Sequence, residues 1–304
     1  MRPELGAASW LKGAGRALAR IPTRDGLVWL LVWGASSFVV GAFAWIGADV
    51  VRHGAPHLSL DLLLSAPKDS GRSGGLAPIL VSTTWIVGVC LAVTLPLALA
   101  SAILLAEISA RDGSKADGAV VLVRRSLDVL AGLPSIVFGL FGYAFFCHAL
   151  GLGFSILSGG LTLACMVLPL LIRSIEEALR AVPAELRAAS AALGLSRATT
   201  LRSLLLPVAA PGLVVGLVLG IGRALAETAA LLFTSGYVSR MPGSVFDSGR
   251  SLSVHIYDLA MNVPGGDAMA YASALVLLAL LLGMNGLATG VVRAWQRRQG
   301  AGTA

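Results

Sequence analysis

Hydrophobic residues along the chain fall into six long runs, separated by segments that hold most of the polar residues. The runs cover residues 27–48, 76–105, 127–150, 154–172, 208–235 and 268–292. Each is close to the roughly 20 residues that an α-helix needs to cross the hydrocarbon core of a bilayer. The pattern therefore predicts an all-α membrane protein with six transmembrane helices.

Two of these runs contain helix-disturbing residues. Pro96 lies inside the second run and predicts a kink there. Gly132 and Pro134 lie in the third run, which predicts an irregular or closely packed helix. Residues 251–262, in the polar segment before the last run, predict a short additional helix outside the six spans.

The first run follows a basic lead and contains the tripeptide Ala42-Phe43-Ala44. A basic lead and small residues at such a position are also typical of a cleavable signal peptide. The run is as long as a spanning helix, however, which favours an uncleaved first transmembrane helix.

Arginine and lysine are distributed unevenly between the polar segments. They are concentrated in the N-terminal segment, in residues 107–125 and 173–207, and in the tail after residue 292. The segments 49–75, 151–153 and 236–267 hold few of them. Because positively charged loops stay in the cytoplasm, this bias predicts that both termini and the 173–207 loop are cytoplasmic.

The composition agrees with a protein that spans the membrane several times. Hydrophobic residues make up 56% of the chain and charged residues 13%, with a mean hydropathy of +0.83, whereas soluble domains carry about 25% charged residues. The net charge of +7 comes from short clusters between apolar runs. It does not form the basic, aromatic-interleaved face that binds nucleic acid, so no nucleic-acid partner is expected.

Nothing in the sequence indicates covalent chemistry or a metal site. The three cysteines lie inside apolar runs with no disulfide or zinc spacing. No H-E-x-x-H motif is present, and none of the three lysines follows a glycine, so the chain has no nucleotide-binding phosphate loop. We expect no enzyme activity and no cofactor in this chain.

Two ionisable residues lie in the fifth run, where charges are costly. Placing Arg223 near a bilayer centre costs about 2.5–3.5 kcal/mol on insertion scales, and such residues are usually functional. Arg223 is therefore predicted to be functional, and its guanidinium offers a planar fork of donors that suits the oxygens of an anion. Glu227, four residues later, either holds Arg223 in position, bonds a protonated oxyanion, or merely cancels the charge of Arg223.

The cytoplasmic segment 182–207 predicts two short helices separated by Gly194, with Pro207 marking the return to the membrane. Its small and apolar residues fit either a lipid surface or a groove on another protein. The residues alone leave these two interpretations open.

This segment resembles the docking loop of ABC importer permeases, whose pattern is E-A-A, three residues, Gly, nine residues, Ile, any residue, Leu-Pro. Gly194, Leu204, Leu206 and Pro207 meet the spacing. The E-A-A positions hold Ala188, Ala189 and Ser190 instead.

The glutamate of the pattern is thus absent from its usual place. Glu185 lies one helical turn earlier, and whether it replaces the missing glutamate is a hypothesis. The resemblance implies that Glu185, Ala188, Ala189, Gly194, Leu204 and Pro207 form the contact with a separate ATPase.

Four further blocks resemble the A-type permeases of phosphate ABC importers. They are LDVLAGLPSIVFGLFG, LPLLIRSIEEALRAVP, ALGLSRATTLRSLLLP and GRALAETAALLFTSG. The resemblance implies a type I importer permease (MetI-like) fold over residues 76–292, after an N-terminal segment 1–75 and before a tail 293–304. It also places Arg223, Glu227, Thr228 and Arg173 on the substrate pathway, although Arg173 is equally well explained as a membrane-end anchor.

The resemblance implies an integral inner-membrane protein surrounded by lipid. Its expected partners are a C-type sister permease, an ATPase homodimer that binds ATP and Mg²⁺, and an extracytoplasmic phosphate-binding protein, which the 236–267 loop would contact. A permease for sulfate or molybdate and an ion-coupled secondary transporter are the remaining alternatives.

Overall fold

The computed structural model describes residues 23–111 and 118–300. The predicted cytoplasmic N-terminus before residue 23 and the last four residues of the tail lie outside the described residues. The chain divides into two compact units, Met1–Arg52 and His53–Ala304. In the first unit, the helix that starts at Thr23 exposes large apolar side chains such as Leu30, Phe38 and Trp45.

The described part of the chain is almost entirely helical. The α-helices in chain order are α1 Thr23–Gly54, α2 Leu60–Leu64, α3 Ala77–Arg111, α4 Gly118–Gly132, α5 Ser135–Gly142, α6 Ile156–Arg180, α7 Ala184–Ala192, α8 Arg197–Thr200, α9 Leu206–Ala226, α10 Ala229–Leu232, α11 Leu252–Met261 and α12 Asp267–Gly300. Wider π-helical turns follow α5 at Tyr143–Ala149 and α8 at Leu201–Leu205. A two-residue antiparallel pair, β1 Pro67–Lys68 and β2 Ser73–Gly74, lies before α3.

Helix α6 is the centre of the second unit. Its buried residues include Leu163, Val167 and Leu171, which belong to one hydrophobic core with residues of α3 and α9. Gly160 of α6 lies so close to α3 that an added Cβ would be 2.6 Å from the Val89 Cβ. Small residues allow this approach, because helices in lipid associate mainly by close van der Waals packing.

A row of glycines brings α9 equally close to α6. A Cβ added at Gly212 or Gly216 would lie 2.7 Å from the Cβ of Ala178 or Ser174, respectively, and one at Gly220 would lie 3.1 Å from Leu171. The three glycines are four residues apart, so they share one face of α9. That face is therefore fixed against α6, and the opposite face of α9 points away from it.

The predicted six spans are confirmed when the bent pair α4–α5 counts as one span. Five described helices are long and apolar enough to cross a membrane, and α4 with the α5 segment forms a sixth, bent by 97°. The bend falls at Leu133 and Pro134, because proline has no backbone N–H to donate and disfavours the helical conformation of the preceding residue.

Several predicted boundaries were wrong because polar residues also lie inside helices. Helix α6 does not end at Arg173 but continues to Arg180, α1 continues to Gly54, and α4 already begins at Gly118 within the segment assigned as a polar loop. In α6 the polar side chains beyond Arg173 form ion pairs within the protein, so they do not require the helix to end. The hydrophobic runs thus locate the membrane core but not the ends of the helices.

The predicted short helix at 251–262 is confirmed as α11. Its N-cap Ser251 accepts a hydrogen bond from the Val254 N–H, and the Thr83 hydroxyl of α3 accepts one from the Leu252 N–H at 2.9 Å. Arg250 forms an ion pair with Asp258 at 2.9 Å. The segment is therefore a structured layer and not an open loop.

His255 of α11 is buried beneath this layer. Its imidazole is 1% exposed, and a Cβ added at Gly71 would lie only 2.9 Å from it. Burial and the positive charge of Arg250 lower the pKa of His255 to about 4. The folded protein therefore keeps this side chain neutral at pH 7.

We expect Gly216→Ala to destabilise the protein by about 1–3 kcal/mol, since the added methyl group forces α9 away from α6. Gly88→Ala is the matched control: Gly88 also lies within a long helix, but nothing lies within 4 Å of its added Cβ. The thermal unfolding temperature of the purified protein in detergent measures the difference. Equal unfolding temperatures for the two variants would contradict the close packing.

We also expect acid to destabilise the protein through His255. Between its ordinary pKa of 6.5 and about 4, the unfolded chain binds a proton on this imidazole that the folded protein does not. The free energy of unfolding therefore decreases as the pH falls through this window, by about 3 kcal/mol in total.

Thermal unfolding at a series of pH values checks this expectation. His255→Gln should flatten the pH dependence relative to wild type, whereas His148→Gln, at an exposed histidine, should leave it unchanged. An unaltered pH dependence in His255→Gln would show that other groups cause the acid sensitivity.

Candidate functional site

The fifth span is interrupted at the residues predicted to line the pathway. Helix α9 ends at Ala226, Glu227 has an extended backbone (φ −75°, ψ 127°), and Thr228 precedes the short helix α10. The prediction of a continuous helix to residue 235 was therefore wrong. Such a break is tolerated at membrane depth only where the protein itself satisfies the freed backbone groups.

Glu227 supplies part of that satisfaction. Its side chain is buried, and one carboxylate oxygen accepts a hydrogen bond from the Ala230 N–H at 3.2 Å. Its main-chain carbonyl accepts a hydrogen bond from the hydroxyl of Ser253 on α11. Glu227 thus caps α10 and connects the break to α11.

Arg223 lies in the last turn of α9 and is exposed. Within the described residues it forms no ion pair, and in particular none with Glu227. The two alternatives in which Glu227 positions or cancels Arg223 are therefore not what the structure shows. Because of the break, Arg223 and Glu227 do not lie on one continuous helix. Glu227 is buried, whereas Arg223 is exposed.

Thr228 stands directly at the break. It occupies the N-cap position of α10 and is half-buried, but its side chain makes no capping hydrogen bond. The sequence prediction grouped Arg223, Glu227 and Thr228, and the structure keeps them within one short segment. Of these three residues, only Glu227 is buried.

Arg173 belongs to a different cluster, between α4 and α6. It forms an ion pair with Asp128 of α4. One helical turn further along α6, Glu176 is buried. Its carboxylate accepts two hydrogen bonds from Arg124, one from a terminal guanidinium nitrogen at 2.6 Å and one from Nε at 3.2 Å. Arg180 lies 3.3 Å from the same oxygen.

These pairs surround a cavity of about 180 Å³ that does not include Arg223. Its lining carries three arginines and three acids, so their charges balance. Sequence reasoning missed Asp128, Arg124 and Glu176. The i,i+4 spacing of Arg124 and Asp128 on an amphipathic helix was the only available signal, and it does not reveal the partner helix.

The cytoplasmic segment 182–207 folds as the sequence predicts, into two helices separated by Gly194. Gly194 has φ +66°, and its N–H bonds to the Ala191 carbonyl while the Leu195 N–H bonds to that of Ser190. This is the Schellman arrangement, which needs a residue with positive φ after the helix end. Glycine adopts that conformation without steric cost.

The side chains predicted to contact an ATPase fall into two groups in the structure. Glu185, Ala188 and Ala189 lie on the exposed face of α7, whereas Leu204 and Pro207 are half-buried where the segment joins α9. Leu193, directly before Gly194, is 75% exposed. The exposed face thus combines one acidic side chain with small and apolar ones.

An ion pair that the sequence did not predict holds α7 in place. Arg187 donates to Glu107 at the end of α3 at 2.8 Å and to the Leu179 carbonyl of α6 at 3.3 Å. Beside this pair is a cavity of about 240 Å³, also lined by Ser190, Leu195 and Arg197. The segment is therefore tied to two membrane helices while leaving an opening at the surface.

No group of three or more histidine, cysteine or acidic side chains in the described part of the chain is arranged to hold a metal ion.

Residues 99–297 match the family model described as "Binding-protein-dependent transport system inner membrane component".

Two curated relatives match over most of their length. The probable ABC transporter permease protein YqgI of Bacillus subtilis (strain 168) is 31% identical over 265 residues, which cover 82% of this chain and 87% of the relative. The phosphate transport system permease protein PstA 1 of Mycobacterium tuberculosis (strain H37Rv) is 35% identical over 269 residues, covering 88% of this chain and 81% of the relative.

Among solved structures, a bacterial ABC transporter involved in the import of the acidic polysaccharide alginate matches with a TM-score of 0.62 at 14% identity. It covers 92% of this chain and 99% of the matched chain. At this identity the match concerns the fold alone, and it confirms the predicted importer-permease fold. The family model and the two relatives together establish that this chain belongs to the integral inner-membrane components of binding-protein-dependent ABC transport systems.

Proposed function

We propose that the chain is the A-type permease subunit of an ATP-driven importer of inorganic phosphate. The observation that carries this proposal is Arg223, an exposed arginine on a membrane helix that has no carboxylate partner among the described residues. An intramembrane arginine without a protein partner needs water or an anion nearby. The mycobacterial relative is a phosphate transport system permease, which supports phosphate as that anion.

The proposed role of Arg223 is transient contact with the phosphate oxygens. Its planar guanidinium donates two parallel hydrogen bonds to such oxygens. The nearby Glu227 carboxylate accepts a hydrogen bond from the Ala230 N–H at the start of α10, whose partial positive charge offsets part of its repulsion of an anion. One arginine without further fixed donors binds weakly, which suits a pathway, since conduction requires release.

Membership of the family implies an ATPase and an extracytoplasmic binding protein, and this chain is a non-catalytic membrane subunit. We infer that the sister subunit is a C-type permease and that the binding protein selects phosphate. The exposed face of α7 with Leu193 is the proposed contact for the ATPase homodimer. ATP binding to the ATPase would move α7. Through the Arg187 contacts, this movement would also reach α3 and α6.

Arg173 has a different proposed part in transport. Paired with Asp128 at the end of the pathway that we assign to the cytoplasm, it is not free to hold an anion in this conformation. An arriving phosphate would compete with the Asp128 carboxylate for the guanidinium, so Arg173 would act at the exit only after α4 and α6 shift.

Arg223→Gln is expected to lower phosphate uptake at least tenfold in cells that lack the native chain, because the amide cannot offer a charged fork of donors. Uptake of labelled phosphate and sulfate measures this once equal amounts of protein reach the membrane. Arg52→Gln, at an exposed arginine near the end of α1, is the control and should transport normally. Normal uptake by Arg223→Gln would remove Arg223 from the pathway. Rescue of sulfate uptake alone by the wild type would refute phosphate as the substrate.

A second expectation concerns the missing glutamate of the docking segment. Glu185 lies on the same exposed face of α7 as Ala188, one turn away. If Glu185 makes the charged contact with the ATPase, Glu185→Ala should reduce ATP-driven uptake severalfold, and adding Ala188→Glu should restore it.

Ala184→Glu in the Glu185→Ala background is the matched control. It also places a carboxylate in the exposed first turn of α7, but about 100° around the helix from Glu185, so it should not restore uptake. Unchanged uptake in Glu185→Ala alone would show that apolar contacts suffice for docking.

A further inference from the structure

Helices α9 and α12 enclose a crevice whose lining includes neither Arg223 nor any residue of segment 182–207. The two helices touch at Gly222, whose added Cβ would lie 3.9 Å from Leu281 and from Met284. Towards the C-terminal end of α12 they leave a crevice of about 330 Å³. Its lining residues are Val215, Val218, Leu219, Asn285, Ala288, Thr289, Val292 and Arg293.

The walls of this crevice are apolar along most of their length. The α9 residues are valines and a leucine on the face that points away from α6. On α12, the Asn285 amide donates to the Leu281 carbonyl at 3.0 Å, and the Thr289 hydroxyl donates to the Asn285 carbonyl at 2.8 Å. These two polar side chains therefore donate hydrogen bonds to their own helix, and hydrocarbon can pack beside them.

One charged residue stands at the mouth of the crevice. Arg293 is exposed and has no ion-pair partner among the described residues. The charge bias of the loops places this end of α12 at the cytoplasmic face, where anionic lipids attract basic groups that follow a membrane helix. In the sequence Arg297 and Arg298 follow one turn later and add to the positive charge.

We propose that the crevice binds an anionic phospholipid of the cytoplasmic leaflet. One acyl chain lies between α9 and α12, and the headgroup phosphate lies at Arg293. Basic pockets between membrane helices on the cytoplasmic side recognise lipid phosphates in this way. The charge at the mouth selects anionic headgroups, and the apolar walls accept the chain.

The charge at the mouth of the crevice favours a lipid over an apolar helix of another subunit, because an anionic headgroup gives Arg293 a partner. A flexible acyl chain is thin enough to enter between helices that are in contact at Gly222. The lipid thereby fills the space beside α9, the helix that carries Arg223.

Photocrosslinking of lipids tests the proposal on the full-length protein in bilayers. Phosphatidylglycerol and phosphatidylcholine, each with a photoactivatable group on one acyl chain, are compared at equal mole fraction. Crosslinked peptides are then identified by mass spectrometry. We expect phosphatidylglycerol to label residues 215–219 and 285–292 at least threefold more than phosphatidylcholine does.

Two pairs of variants separate charge from shape. Arg293→Gln should abolish the preference for phosphatidylglycerol, whereas Arg125→Gln, at another exposed arginine, should keep it. Ala288→Phe fills the crevice and should reduce labelling by both lipids, whereas Leu287→Phe, on the outward face of α12, should not.

Three results would overturn the proposal. Equal labelling by the two lipids in wild type would show an ordinary lipid-facing surface. An unchanged preference in Arg293→Gln would place the anionic headgroup elsewhere. Loss of labelling when the chain is reconstituted with its partner subunits would show that a partner helix covers the crevice.

Discussion

The close approach of α9 to α6 is the contact on which the rest of the site depends. Glycines at 212, 216 and 220 line up along α9, and a Cβ added at Gly212 or Gly216 would lie only 2.7 Å from a Cβ of α6. The rotation of α9 about its axis is thereby fixed, because turning it would insert larger side chains into the contact. The crevice beside α12 depends on this rotation, because Val215 and Val218 lie outside the row of glycines.

Ionisable groups within and next to the membrane differ in whether they are buried and hydrogen-bonded or exposed. Glu176 and Glu227 are buried, and each accepts hydrogen bonds from the protein, Glu176 from arginines and Glu227 from a backbone N–H. Leaving either carboxylate unpaired would cost several kcal/mol, since both are more than 90% buried. Arg223 is the contrasting case, since it is exposed and meets no carboxylate among the described residues. The protein thus hydrogen-bonds these two buried carboxylates, whereas it leaves Arg223 exposed.

Segment 182–207 contacts more of the molecule than its sequence indicates. Helix α7 follows α6 after a three-residue turn, and Arg187 ties it to the end of α3 as well as to α6. The Arg124–Glu176 contact connects α6 in turn to α4, which leads through the bend at Pro134 into α5. A force applied to α7 would therefore reach four membrane helices through direct contacts.

Local chemistry in the sequence was sufficient for much of this architecture. Six apolar runs predicted the spans, since a bilayer imposes a minimum length on any helix that crosses it. Gly194 and the short helix after residue 250 were also predictable, because turn and capping residues act on their immediate neighbours. Helix ends were missed where a polar side chain such as Glu176 finds its partner on another helix.

The break at Glu227 was not predicted, because part of what stabilises it comes from a distant part of the chain. Arg223 and Glu227 have the spacing of a favourable pair on one helix, and nothing in the local sequence separates them. Their separation depends on Ser253, which is 26 residues away along the chain and bonds to the Glu227 carbonyl, and on the capping of α10 by the Glu227 carboxylate. Sequence determined which charges enter the membrane, whereas packing determined which of them stays exposed, because burial and hydrogen bonding depend on residues that only folding brings together.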